Sequence, residues 1–198
     1  IKPETEFLDL PKSINCYGFP IREYDNEIPS DLTAEQIFVR SGNIGSVRIA
    51  QIVGPEKFKS FLEKIGVLSD IQFDIEEVAP QKNYNFGKCK LATASFGHGV
   101  ATTILQLAKG YAILSNGGYD VKPTLVKKNL QKNAKKKRLM NQGVSEQVVD
   151  ALRKIVTTEE GTAKFADVEY FEIGGKTGTA DQPKDGAYSE AKINTFAS

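Results

Sequence analysis

Apolar positions recur at helical spacing in five stretches of this chain and at extended spacing in three. Thr33-Ala34-Glu35-Gln36 has the form of a capping box, in which the threonine hydroxyl and the glutamine side chain satisfy free amides at a helix start. A short helix to about Arg40 is expected there. Past Ser41-Gly42-Asn43, the residues Ile44, Val47, Ile49, Ala50 and Val53 predict a buried helix stopped by Gly54. Pro55 suits the first turn of a further helix, with Phe58, Phe61, Leu62 and Ile65 at i, i+3, i+4 and i+7 before Gly66. Thr102 and Thr103 can cap a helix carrying Ile104, Leu107, Ala108, Tyr111, Ala112 and Leu114, which Asn116-Gly117-Gly118 ends with residues tolerant of positive φ. Ser145 opens the last, with Val148, Val149, Leu152, Ile155 and Val156. The extended stretches are residues 119–126, 168–173 and 191–197. Pro3, Pro11, Gly18, Pro20 and Pro29 make residues 1–30 read as an irregular leader.

Helices thus dominate residues 31–118, and residues 119–198 add one helix and the C-terminal strands. That order predicts an α+β fold with a mainly antiparallel sheet, in a single partial domain over residues 1–198. The chain is 198 residues long, 40% hydrophobic and 26% charged, which excludes collagen-like, coiled-coil and disordered classes. A net charge of +1 gives no overall pull toward nucleic acid. Cys16 and Cys89 lie far apart with no CxxC pair, so no disulfide framework is expected. The longest nearly uncharged apolar stretch, residues 104–114, is interrupted by Lys109 and falls well short of the ~20 residues of a spanning helix. The start at Ile1, without a charged and then apolar leader, argues against a signal peptide. The end at Ser198, inside an extended stretch, suggests a piece of a longer polypeptide.

Residues 172–180, Glu172-Ile173-Gly174-Gly175-Lys176-Thr177-Gly178-Thr179-Ala180, place a cation, two hydroxyls and three glycines at a strand, a setting for an anionic ligand. In this composition Lys-Thr-Gly arises by chance about 0.1 times, and Lys-Thr-Gly-Thr about 0.007 times. Gly175-Lys176-Thr177 also ends like a phosphate-binding loop, but Tyr170 stands where that loop needs a glycine, and residues 179–186 read as a turn rather than a helix. Ser41-Gly42-Asn43 is an S-x-N triplet at a helix junction, where a serine by itself is more often a cap than a catalytic group. Ser13-Ile14-Asn15 has the same form but no helix behind it.

S-x-N followed at long range by K-T-G resembles two thirds of the motif set of serine acyl-transferases of the penicillin-binding and β-lactamase class. Ser41-Gly42-Asn43-Ile44-Gly45, Ser95-Phe96-Gly97-His98-Gly99, Leu105-Gln106-Leu107-Ala108, Tyr111-Ala112, Asn116-Gly117-Gly118 and residues 174–180 together resemble the transpeptidase domain of class B penicillin-binding proteins. Val156-Thr157-Thr158-Glu159-Glu160-Gly161-Thr162-Ala163 leans toward the septal, cell-division type, with the elongation type or a D,D-carboxypeptidase as the alternatives. The resemblance implies a D,D-transpeptidase acting on D-Ala-D-Ala stem peptides of peptidoglycan and bound by β-lactams, among other cell-division and cell-wall proteins. It implies no cofactor or metal, and a catalytic domain on the periplasmic side of the inner membrane, held by an N-terminal anchor not among these residues. The family's S-x-x-K nucleophile precedes S-x-N. Here only Ser189-Glu190-Ala191-Lys192 has that form, in what reads as a surface turn, so the nucleophile is expected upstream of Ile1 and this fragment is expected to be inactive alone.

By the same resemblance Ser41 relays a proton, Asn43 holds the substrate's amide chain, and Lys176 supplies positive charge for the terminal carboxylate. Thr177 and Thr179 offer hydroxyls to that carboxylate, Gly178 leaves room for a substrate strand, and the Thr179 amide is one oxyanion donor. His98, the sole histidine, suits a structural role in a glycine-flanked loop. Lys122, Lys127, Lys128, Lys132, Lys135, Lys136, Lys137 and Arg138 read as a solvated face, with anionic lipid or an acidic partner as the functional alternative. A non-catalytic docking module in a cell-wall assembly is the competing function.

Overall fold

The computed structural model describes residues 1–75, 84–127, 137–184 and 187–198. Its elements run β1 (Glu6–Phe7), β2 (Ser13–Cys16), β3 (Phe19–Arg22), β4 (Leu32–Thr33), α1 (Ala34–Val39), α2 (Asn43–Val53), α3 (Pro55–Lys64), α4 (Lys88–Ala94), α5 (Ile104–Ser115), α6 (Gln142–Thr157), β5 (Lys176–Lys184) and β6 (Ala187–Ala197). The strands pair antiparallel as β1 with β4, β2 with β3 and β5 with β6. This is the expected α+β class. Contacts divide the chain into two compact units, Ile1–Val53 with Gly87–Val100 and Asp150–Ser198, and Gly54–Phe86 with Ala101–Val149.

The first unit is built on Phe7, Leu10, Ile21, Ile28, Leu32, Ile37, Ile44, Val47 and Ala92, all buried. Four of these nine come from the stretch expected to be irregular. That expectation fails because β2 and β3 form a hairpin, with Ser13 opposite Arg22 and Cys16 opposite Phe19, turned by Tyr17 and Gly18 at φ of 50° and 91°. The Asn15 side chain accepts the Gly18 amide at 2.8 Å, so the second S-x-N triplet is hairpin structure. Proline masked the ribbon. A two-stranded ribbon has only edge strands, where Pro20 costs little. Cys16 is disulfide-bonded to Cys89 in α4, with Cα atoms 5.6 Å apart, which corrects the expectation of no bridge. Distance along a chain does not fix distance in space, and 5.6 Å is an ordinary bridging separation.

α1 starts at the expected capping box: Thr33 accepts the Gln36 amide at 3.2 Å while the Gln36 side chain accepts the Thr33 amide at 2.9 Å. α4 was not expected, since its seven residues carry too few apolar positions to show a period. Residues 168–173, expected as a strand, turn instead: the Phe171 amide bonds the Val168 carbonyl at 3.1 Å, and Tyr170 sits at φ 71°. Residues 179–184, expected as part of a turn, continue the strand that begins at Lys176, with the register shifting between Asp181 and Pro183. No helix follows K-T-G, which removes the phosphate-loop alternative. Asp185 and Gly186 lie outside the described residues.

The second unit packs Ile65, Ile113 and Leu139, with Leu62, Val67 and Val121 against them. A second capping box, Thr103 with Gln106, starts α5. Ser145 does not open its helix. α6 begins at Gln142, and Ser145 is buried, donating to the Leu114 carbonyl at 2.5 Å and accepting the Gly117 amide at 3.1 Å. Among the described residues, residues 119–126, expected as a strand, contribute the single bridge between Tyr119 and Arg138. There the Arg138 guanidinium lies 4.4 Å from the Tyr119 ring centroid while the residue stays exposed. Lys128, Lys132, Lys135 and Lys136 lie outside the described residues. Among the described residues no helix is long and apolar enough to cross a membrane.

Candidate active site

Both motifs lie in the first unit and meet there. The Lys176 Nζ donates to the Ser41 Oγ at 2.7 Å and to the Thr177 carbonyl at 3.1 Å, across 135 residues of sequence.

Ser41 owes its place to the end of α1. The Gly42 amide bonds the Ile37 carbonyl at 2.8 Å and the Ser41 amide bonds the Phe38 carbonyl at 3.2 Å. These two bonds make a Schellman turn, whose left-handed position is usually glycine. Here it is Ser41, at φ 59°. A side chain in that conformation costs on the order of 1–2 kcal/mol, so the turn retains its hydroxyl against a backbone penalty. α2 then leaves at once, held close to α1 because a Cβ on Gly45 would lie 2.5 Å from the Ile37 side chain. Asn43 is the first residue of α2, and its side-chain amide donates to the Arg22 carbonyl of β3 at 2.9 Å.

Lys176 is placed by strand register. β5 pairs with β6 so that Lys176 faces Ala197, Gly178 faces Thr195 and Thr179 faces Asn194. The lead-in is fixed by glycines: the Gly175 amide bonds the Leu152 carbonyl of α6 at 3.1 Å, and a Cβ on Gly175 would lie 2.6 Å from the Ala197 carbonyl oxygen. Strand alternation puts Lys176 and Gly178 on one face, Thr177 and Thr179 on the other. The Thr177 hydroxyl shares a hydrogen bond with the Thr162 hydroxyl at 2.8 Å, and the Thr179 hydroxyl donates to Asn194 Oδ1 at 3.2 Å. Gly178 has an internal reason to lack a side chain, since its Cβ would lie 2.6 Å from the Thr195 hydroxyl.

Burial lowers the Lys176 ammonium from the usual 10.5 to about 8, so it remains mainly a cation at neutral pH. Its partners are a hydroxyl and a carbonyl, both acceptors that favour the charged form. Ser41 therefore sits beside a desolvated cation, and the chemistry available is proton transfer through a hydroxyl and attraction of an anion.

Several residues that frame the site gave no sequence signal. The Glu23 carboxylate accepts the Asn43 and Ile44 amides, the first of α2, at 2.6 and 2.9 Å. Arg40 pairs with Glu160 at 2.6 Å, joining the S-x-N turn to the turn after α6 that carries Thr162. Tyr24 donates its hydroxyl to the Arg40 carbonyl at 3.1 Å. Glu160 and Thr162 stood in the stretch that carried the resemblance, but no periodicity or spacing predicts these pairings. His98 lies in the loop after α4, its amide bonding the Thr93 carbonyl at 3.0 Å between Gly97 and Gly99 at φ 88° and 78°. The stray Ser189-Glu190-Ala191-Lys192 is in β6, not a turn. Ser189 donates to the Gln182 carbonyl at 2.9 Å and Lys192 pairs with Asp181. Both side chains are thus engaged with β5.

The whole chain, residues 1–198, matches the penicillin binding protein transpeptidase domain. It is 28% identical to the penicillin-binding protein PbpB of Mycolicibacterium smegmatis over 92% of this chain and 31% of that protein. It is 30% identical to a probable peptidoglycan D,D-transpeptidase PenA of Neisseria meningitidis over 95% of this chain and 33% of that protein. The chain thus spans about a third of the length of these curated relatives. The transpeptidase domain of Burkholderia pseudomallei penicillin-binding protein 3 superposes with a TM-score of 0.84, at 24% identity over 99% of this chain and 60% of that one. That likeness bears on the fold alone. The S-x-N turn and K-T-G strand thus meet in a chain that belongs to the penicillin-binding protein transpeptidase domain family.

Proposed function

We propose that this chain forms the S-x-N and K-T-G part of a serine D,D-transpeptidase that cross-links peptidoglycan stem peptides, and that β-lactams acylate the same centre. The attacking serine belongs to an S-x-x-K motif that these residues do not supply. Its Oγ adds to the penultimate D-Ala carbonyl, the C–N bond to the terminal D-Ala breaks, and that amine leaves with a proton. A second strand's amine then displaces the serine from the acyl-enzyme. Ser41 relays the proton between base and leaving amine. Lys176 attracts the terminal carboxylate, which the Thr177 and Thr179 hydroxyls also bind, exchanging their present partners Thr162 and Asn194. Asn43 holds the substrate amide chain through its free carbonyl side, and the Thr179 amide supplies one oxyanion donor. Among the described residues β5 pairs only with β6, so its other edge can take the peptide as an added strand.

The single observation that carries this is the 2.7 Å bond from Lys176 to Ser41, which unites the two motifs. The stretch Val156-Thr157-Thr158-Glu159-Glu160-Gly161-Thr162-Ala163, by its resemblance, supports a septal role. The Cys16–Cys89 bridge fits an oxidising compartment, and we place the domain outside the cytoplasmic membrane, anchored by a segment elsewhere in the protein. The test is labelling by fluorescent penicillin. The protein extended upstream through S-x-x-K is expected to label, and Ser41→Ala or Lys176→Ala in it to label about 10²–10³-fold more slowly. An extended protein that does not label overturns the proposal.

A further inference from the structure

We propose that Glu23 is a positioning residue for the S-x-N turn, its carboxylate clamping the first two amides of α2 so that Ser41 is presented to Lys176. The role deepens the acyl-transfer proposal and rests on it for its catalytic consequence.

Gly42, directly before α2, has no side chain with which to cap it, and the first turn of α2 holds no acidic residue. Four free amides at a helix start attract a carboxylate, and this one comes from twenty residues upstream. Glu23 Oε2 takes the Asn43 amide at 2.6 Å and Oε1 takes the Ile44 amide at 2.9 Å, so both oxygens are committed. The preceding residue adds a third bond, the Arg22 carbonyl accepting the Asn43 side-chain amide at 2.9 Å. Two consecutive residues at the end of β3 therefore hold both the main chain and the side chain of Asn43. A plain helix cap would need only one of these bonds, and local serine or asparagine could supply it.

The clamp matters because of what precedes it. Ser41 stays left-handed, and the geometry that aims its hydroxyl at Lys176 is fixed from one side by α1 and from the other by the first residue of α2. Without Glu23 that second constraint goes, and Ser41 and Asn43 can drift together. A misplacement of about 1 Å is enough to cost about 10²-fold in rate. The hairpin is tethered in turn through Cys16 to α4.

The test compares Glu23→Ala and Glu23→Gln, the latter keeping one acceptor oxygen, with Thr103→Ala, which removes the cap of α5 in the second unit. In this chain, hydrogen exchange at the Asn43 and Ile44 amides is expected to quicken at least tenfold in Glu23→Ala and less in Glu23→Gln, with Thr103→Ala leaving them unchanged. In the upstream-extended protein, penicillin acylation is expected to slow about 10²-fold in Glu23→Ala and to recover partly in Glu23→Gln, whereas Thr103→Ala lowers the melting temperature with acylation retained. Faster exchange with unchanged acylation overturns the positioning role and leaves an ordinary cap. Unchanged exchange overturns the clamp itself, whatever the enzyme does. Absence of labelling in the unsubstituted extended protein counts against the acyl-transfer proposal, and the exchange result alone then decides the clamp.

Discussion

The two sides of the site are built by opposite means. The Lys176 side is a strand, in which register alone decides where each side chain points: with Lys176 opposite Ala197, the positions of Thr177, Gly178 and Thr179 follow. The Ser41 side is a bend between two helices, and nothing periodic holds it. Its shape comes from a Schellman turn, the Glu23 carboxylate, the Arg22 carbonyl and the Arg40–Glu160 ion pair. The ladder side tolerates changes that leave pairing intact, while the bend depends on single contacts from distant residues. The geometry of the proposed site is therefore most exposed to substitution where the sequence looks least constrained.

The largest expected effect is loss of the cation that joins the two sides. Lys176→Met keeps most of the side chain's packing but removes the charge, and penicillin acylation of the extended protein should fall by about 10²–10³-fold. The unsubstituted protein should also lose acylation as pH rises through about 8, where Lys176 gives up its proton. The stability sign runs the other way. The folded value lies below the unfolded 10.5, so the cost of burying the cation is full below about 8 and is relieved as pH rises toward 10.5. Melting curves of the natural chain should therefore gain on those of Lys176→Met over that window. A parallel pair of curves would show that burial does not depress Lys176.

Reduction of the Cys16–Cys89 bridge should act next, and on the bend side, because the bridge ties the hairpin that carries Arg22 and Glu23 to α4. A loss of about 2–4 kcal/mol by denaturant titration is expected. Hydrogen exchange at Asn43 should rise with it, while the β5–β6 ladder should be less affected. Equal loosening of both sides would erase the contrast drawn between them.

Gly178→Ala probes the ladder. Its methyl group would meet the Thr195 hydroxyl at 2.6 Å, at an expected cost of about 1–3 kcal/mol. Thr195→Ala in the same chain should return most of that stability if the clash is local to the hairpin. No return would mean the methyl group meets something other than Thr195.

The smallest effect separates backbone from chemistry at the bend. Ser41→Gly and Ser41→Ala both remove the hydroxyl and should acylate equally slowly, yet glycine should be the more stable by about 1 kcal/mol, since only it takes φ 59° without penalty. Equal thermal midpoints would mean that Ser41 is not strained.

What was legible in the sequence was local. The capping box at Thr33, the cap at Thr103 and the stops at Gly54 and Asn116 fell where expected, because each is read from residues a few positions apart. Proline concealed the hairpin of residues 13–22, α4 was too short to show a period, and residues 168–173 have the composition of a strand but turn on themselves, joining no ladder among the described residues. The expectation of a turn after Thr179 failed for the converse reason. Asp181 and Pro183 discourage a strand, but β6 supplies the ladder and a register shift absorbs the proline.

The sequence by itself determined the α+β class, since apolar periodicity is a property of the chain, and by the resemblance of its motifs it singled out Ser41, Asn43, Lys176, Thr177, Gly178 and Thr179 as the proposed site. Only the tertiary structure decided that Lys176 reaches Ser41, that Glu23 holds Asn43, that Thr162 meets Thr177 and that Cys16 finds Cys89. Those contacts join residues from 15 to 135 positions apart. Such pairs form when helices and strands pack around a common core, and no local pattern of residues encodes which of them that packing will bring together.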